Sequence, residues 1–218
     1  MPRFHPAVFA AVSVLAASSP APAQDAAGIK AAETYAKAVL GEQCDMNSMT
    51  EISVNPPEPE GLSHYSYEIG FRYSYMGADE PEQKAELYQI FCSSGAYNIS
   101  HAFILKTTDP AGLQLVSFPQ PVMKFDYADA EQTSLKSPPR VTGYAGRSTL
   151  VNASYDPQTR TITSRAAWRG IGDAWDSGQW VFEDGSFVLK KFDVDPTYNG
   201  GETEESETPE SYVVFQAP

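Results

Sequence analysis

Between His64 and Tyr75 the chain alternates without a break: Tyr65, Tyr67, Ile69, Phe71, Tyr73 and Tyr75 stand against His64, Ser66, Glu68, Gly70, Arg72 and Ser74. A period of two puts all the large side chains of this run on one face of an extended strand. Aromatic residues fit a pleated, packed surface, so the row predicts the core face of a sheet, with a ligand-stacking platform as the alternative. A chain with such a strand needs partner strands, and the rest of the sequence supplies them.

Leu87 to Cys92 and Ile99 to Lys106 are apolar runs separated by Ser93-Ser94-Gly95-Ala96-Tyr97, which reads as strand, tight connection, strand. Leu113 to Phe118 continues the pattern. The proline-punctuated stretch from Phe125 to Thr142 reads as loop with room for a short edge strand. Thr149 to Tyr155 and Arg160 to Arg165 flank Asp156-Pro157-Gln158-Thr159 as one hairpin. Trp180 to Phe182 and Phe187 to Lys191 enclose Asp184-Gly185 as a second, because Asp-Gly supplies the positive backbone dihedrals of a tight turn. Tyr212 to Phe215 closes the chain as a short strand.

One helix is expected, over residues 25–40. Ile29, Ala32, Ala36, Val39 and Leu40 recur at helical spacing, Asp25 is available as a cap, and Gly41 follows the end. Pro56, Pro57 and Pro59 make residues 55–61 an extended connection. Residues 201–210 are acidic and lack an apolar period, so they read as a loop. The predicted fold is therefore mostly β, a sandwich or open barrel of short antiparallel strands with one N-terminal α-helix.

The N-terminus carries Arg3, the apolar run Ala7 to Ala17, and Ala21-Pro22-Ala23, a small-x-small cleavage pattern. Residues 1–23 thus read as a secretory signal peptide cleaved near Ala23, leaving a single domain over 24–218 in the periplasm or outside the cell. The apolar run falls short of the roughly 20 residues a membrane span requires. The whole chain carries a formal charge of −13, and losing Arg3 with the leader makes it −14. A surface of that sign repels nucleic acid and favours a cationic protein or small molecule as partner. In an export compartment Cys44 and Cys92 are expected to form a disulfide, with Cα atoms about 4.4 to 6.8 Å apart. Two cysteines with no adjacent histidine do not make a tetrahedral zinc site, and no metal or cofactor is expected.

The run Cys92-Ser93-Ser94-Gly95-Ala96-Tyr97-Asn98 resembles a family of exported proteobacterial proteins classed as domain of unknown function eleven seventy-six, which places a Cys shortly before Gly-Ala-Tyr-Asn. Leu150-Val151-Asn152-Ala153-Ser154-Tyr155, Arg169-Gly170-Ile171-Gly172-Asp173 and Trp180 to Leu189 follow the order of that family's C-terminal half. Ala174 stands where the family usually has Cys after Gly-Asp, and Tyr198-Asn199-Gly200 stands near a later Cys-Arg-Gly. The resemblance implies that a second disulfide is missing between these segments. It implies export and fold, and transfers no activity.

No serine elbow, phosphate loop or dinucleotide fingerprint is present. After the leader only His64 and His101 remain, too few for a three-histidine zinc site. His64 and Glu68 lie on one strand face but about 13 Å apart, too far for joint ligation. Asp195-Pro196-Thr197-Tyr198-Asn199-Gly200 has part of a calcium-loop pattern, but Ser206 stands where its bidentate Glu is required. The candidate binding residues are Tyr97, Asn98, Arg169, Gly170, Gly172, Asp173 and Trp180. Arg169 and Asp173 form a polar pair beside a pocket in one reading and an internally bonded glycine turn in the other. The expected function is a non-catalytic binding or envelope-associated module. The alternatives are an inhibitor of a cationic hydrolase and a small hydrolase or lyase with Asp173 as base beside Arg169.

Overall fold

A computed structural model describes residues 25–46, 64–108, 111–200 and 211–218. The leader, the proline-rich connection and the acidic run at 201–210 lie outside the described residues. Within them the chain forms α1 (Ala26–Leu40), a 3-10 turn (Gly41–Cys44) and twelve strands. The first sheet has the order β1 (Tyr65–Phe71), β2 (Gln83–Ser94), β3 (Ile99–Thr108), with β4 (Ala111–Leu115) and β7 (Thr149–Val151) along the far edge of β3. The second runs β12 (Tyr212–Gln216), β11 (Ser186–Asp195), β10 (Trp175–Glu183), β9 (Thr161–Ala167), β8 (Ser154–Asp156). β5 (Phe118–Tyr127) and β6 (Leu135–Arg147) pair as a separate ribbon. Every pairing is antiparallel and, among the described residues, no barrel closes.

β2 shows why the first sheet lies in the middle. Its residues from Leu87 to Cys92 are all buried, the signature of a strand covered on both faces. Ala85 and Leu87 join Ile69, Phe71, Phe103 and Leu105 in the core toward the second sheet. Tyr88, Ile90 and Cys92 join Ala102 and Ile104 in a second core under α1. The helix presents Ala32 and Ala36, both fully buried, and small side chains there let it approach closely. Asp25 caps it, accepting from the Gly28 amide at 3.0 Å and from the Tyr88 hydroxyl at 3.1 Å. A Cβ at Gly28 would overlap both groups, so this position requires glycine. At the other end Cys44 and Cys92 are bonded as expected, with Cα atoms 4.1 Å apart, slightly below the expected range.

Trp180 and Phe182 on β10, with Ile162 on β9 and Phe187, Leu189 and Phe192 on β11, supply the second sheet's side of the inter-sheet core. The indole of Trp180 folds over Gly178, where any Cβ would overlap it, and packs edge-on against Phe118 at 5.4 Å. The Asp184-Gly185 turn has φ of 47° and 79°, the positive pair that the hairpin requires.

Four expectations need correction. The aromatic strand ends at Phe71, so Tyr73 and Tyr75 lie beyond it. Tyr73 packs on the turn at Gly185, and Tyr75 stacks on Tyr73 and stays 80% exposed. Residues 125–142 are not mainly loop: they belong to the long ribbon β5–β6, in which each strand has a free edge and so tolerates Pro119, Pro121, Pro138 and Pro139. The ribbon lies along β11 and β12, anchored by buried Phe118 and by the Trp180 indole N–H donating to the Pro119 carbonyl at 3.0 Å. Leu113 to Phe118 divides between β4 and the start of β5. Thr149 to Tyr155 is also two strands, β7 in the first sheet and β8 in the second, and the chain crosses between sheets at Asn152 and Ala153.

Candidate functional site

Two regions bring polar side chains together, and both depend on that crossover. Asn152 holds φ at 45°, a left-handed conformation that asparagine tolerates better than most residues. Its backbone N–H donates to the Ile99 carbonyl at 2.7 Å and its side-chain oxygen accepts from the Ile99 N–H at 2.8 Å. Its amide nitrogen donates to the Asn98 side-chain oxygen at 3.1 Å and to the Arg165 carbonyl at 3.0 Å. Asn98 in turn donates to the Ala167 carbonyl at 2.7 Å and accepts from the Ala167 N–H at 3.3 Å. The two amides therefore stitch the start of β3 to the end of β9. Asn152→Ala is expected to cost about 1–3 kcal/mol from the lost bonds and the disfavoured φ, and Asn152→Gly, which tolerates that φ, less. Denaturant unfolding of the pair separates the two contributions.

Next to this seam, the turn between β9 and β10 holds most of the residues singled out in the sequence. Gly172, with φ 71°, donates to the Arg169 carbonyl at 2.9 Å. Tyr97 lies against Gly170 and is nearly half exposed. Asp173 is buried, and its oxygens accept from the Arg169 guanidinium, including Nε at 2.7 Å, from the Ala174 N–H at 3.0 Å and from the Gly200 N–H at 2.9 Å. The guanidinium of Arg169 also lies 4.8 Å over the Tyr198 ring. Arg169 first, and then the two amides, hold the Asp173 carboxyl well below its ordinary value of 3.8. A carboxylate already accepting from a guanidinium and two amides is a weak general base. Trp180 is not part of this turn. It is fully buried in the inter-sheet core, so its indole is out of a ligand's reach.

The sign of the Asp173 shift fixes a pH dependence. Because its folded-state pKa is depressed, its contribution is present above the unfolded value of 3.8 and lost as pH falls below it. Asp173→Asn is expected to cost about 1–3 kcal/mol at pH 7, and the gap between variant and wild type should narrow below about pH 4. A constant gap from pH 7 to pH 2 in chemical denaturation would show that the Arg169 pair contributes nothing to folding.

The second region is a cleft of about 410 Å³ at the end of the sandwich where the chain changes sheets. Tyr65 and Tyr67 from β1 form one wall, Gln89 from β2 and His101 from β3 reach it, and Ser154 and Tyr155 face it from the crossover. The Tyr65 and Tyr67 rings lie within 25° of parallel, with centroids 6.4 Å apart, and Tyr155 meets Tyr67 edge-on at 4.8 Å. Gln89 is nearly buried and donates to the Ala153 carbonyl at 3.1 Å. Burial pushes the Tyr155 hydroxyl up to about 12 and raises Tyr67 as well. Gln89, Ser154 and Tyr155 were not among the sequence candidates. Only the period-two row pointed toward this site, through its platform alternative. Among the described residues no group of His, Cys, Asp and Glu is arranged to hold a metal ion.

No curated protein and no solved structure matches the chain. A family model does, over residues 15–214, and so takes in the helix as well as the sheets. With most of its length matched, the chain belongs to the family described as Protein of unknown function (DUF1176).

Proposed function

We propose that the protein is an exported, non-catalytic binding module and that the inter-sheet cleft is its ligand seat. The observation that carries this reading is the 410 Å³ cleft itself, in which half-buried aromatic rings and a few polar groups converge. That composition is typical of small-molecule sites. The binding reading is supported over the hydrolase alternative by Asp173, the base that alternative needs, which already accepts from Arg169 and two backbone amides. Export rests on the leader at residues 1–23 and on the disulfide, a bond favoured outside the reducing cytoplasm.

Ser154 is exposed and lines the cleft, so Ser154→Trp fills it without disturbing the core. Small molecules that raise the thermal midpoint of the wild type should fail to do so for Ser154→Trp, provided its own midpoint is retained. Ligands that act equally on both proteins would move the binding site elsewhere. N-terminal sequencing of protein recovered from a Gram-negative periplasm should begin at Gln24, and an uncleaved Met1 there would remove the leader reading.

The formal charge of −14 after leader removal supports a second reading, inhibition of a cationic hydrolase by an acidic surface. Association with a basic lysozyme that weakens steeply with salt would favour it, and no association at low salt would dismiss it.

A further inference from the structure

The chemistry of the cleft wall narrows what it binds, taking the cleft as the ligand seat proposed above. Among the described residues its lining holds no Asp, Glu, Lys or Arg. The hydroxyls of Tyr65, Tyr67 and Tyr155 make no hydrogen bond to described residues. Tyr155 and Tyr67 are held above their ordinary titration range, so they remain O–H donors throughout physiological pH. Ser154 shares one bond with Thr163 at 3.0 Å and keeps further capacity at its oxygen.

Each common ligand class makes a different demand on such a wall. An anion would gain most from the permanent charge of Lys or Arg, and neither lines the cleft; His101 is the one lining side chain that can become cationic. A cation would gain from carboxylates at the wall, and neither Asp nor Glu lines the cleft. A purely apolar ligand would strip water from the hydroxyls without replacing its hydrogen bonds, at about 1–3 kcal/mol for each group left buried. A polyhydroxylated neutral ring meets every demand, with C–H faces for the aromatic surfaces and hydroxyls for the polar rim. We infer that the cleft binds a short, uncharged saccharide, with a sugar face on the Tyr65 and Tyr67 rings and its hydroxyls bonded to Tyr155, Gln89 and Ser154.

The test titrates the disulfide-bonded protein with maltotriose and triacetylchitotriose as neutral probes, trigalacturonate as an anion and choline as a cation. Heat is read by calorimetry, and the tyrosine ring signals by NMR. The expected result is saturable binding of at least one neutral trisaccharide, with shifts at Tyr65 and Tyr67 and little dependence on salt. Tyr67→Ala should weaken that binding about tenfold or more, whereas Tyr67→Phe, which keeps the ring, should weaken it less. If Tyr67→Ala fails to fold, Tyr65→Ala and Ser154→Trp take its place. Saturable binding of choline or trigalacturonate at the same tyrosines, with both neutral sugars silent, overturns the saccharide assignment and leaves the cleft as a ligand seat. Silence from both neutral sugars also overturns it, whereas ligands insensitive to Ser154→Trp overturn the cleft itself.

Discussion

Phe71→Ala is expected to lower the free energy of unfolding by about 3–5 kcal/mol, and with it the thermal midpoint by about 10 °C. The Phe71 side chain is nearly inaccessible and meets Phe182 of the opposite sheet edge-on at 5.2 Å and Tyr73 at 5.1 Å. Removing it leaves a cavity between two antiparallel sheets, whose backbones are held by their ladders and cannot close the gap. Tyr65→Ala, at the other end of the same strand, should change stability by only about 1 kcal/mol, because its ring is half-buried at the cleft mouth. The contrast matters because the sequence presents these residues as one uniform row. A Phe71→Ala midpoint within a degree or two of wild type would remove this strand from the core, and an equal loss from Tyr65→Ala would close the cleft as a binding surface.

That row shows what period-two reading can and cannot supply. Alternation identified the face shared by Tyr65, Tyr67, Ile69 and Phe71, but not where the second sheet would cover it. Coverage depends on long-range pairing: Phe182 lies over Phe71, whereas the crossover at Asn152 leaves space over Tyr65. The same limit explains the ribbon. Pro138 and Pro139 argue against an inner strand, and β6 is not one, since it has a single partner and an open edge. Thr149 to Tyr155 reads as one strand because nothing local separates β7 from β8. The division is made by Asn152, whose φ of 45° turns the chain from one sheet to the other. The helix and the Asp184-Gly185 hairpin were legible for the opposite reason, since cap, apolar spacing and turn dipeptide are all local signals.

The candidate site divides along the same line. Tyr97, Asn98, Arg169, Gly170 and Asp173 lie close together, but their polar groups are already engaged: Asn98 bonds to Ala167, Asp173 accepts from Arg169, and Tyr97 packs on Gly170. Glycine-rich turns flanked by Arg and Asp have the same local sequence whether they face a ligand or close on themselves. Here Gly200, 27 residues on, donates to Asp173, and Arg169 covers Tyr198, so the two segments are held together by a hydrogen bond and a cation–π contact. The cleft was less legible because Gln89 comes from β2 and Ser154 and Tyr155 from β8, more than sixty residues on, and they join no motif of catalytic type.

Replacing Cys44 and Cys92 together with alanine is expected to cost about 4 kcal/mol, and the loss should be concentrated on the helix. The first figure follows from the chain entropy restored when a cross-link across 48 residues is removed. The second follows from how α1 is held. Its buried face is mostly Ala32 and Ala36, which allow close approach but bury little apolar area of their own. Its N-terminal end is fixed by polar contacts, with the Asp25 N–H donating to Ser66 at 2.8 Å and Tyr88 donating to the Asp25 carboxylate. Its C-terminal end relies on the bond from Cys44 to β2. Without that bond the last turns should open before the sheets, whose shared core of Phe71, Phe103, Trp180 and Phe182 lies on the opposite side of β2. Native-state hydrogen exchange distinguishes the outcomes: amides of residues 32–40 should lose protection well before those of β10 and β11. Equal loss in helix and sheets would make the helix and sandwich one cooperative unit, and unchanged protection would mean that the Ala32 and Ala36 contacts suffice to hold the helix in place.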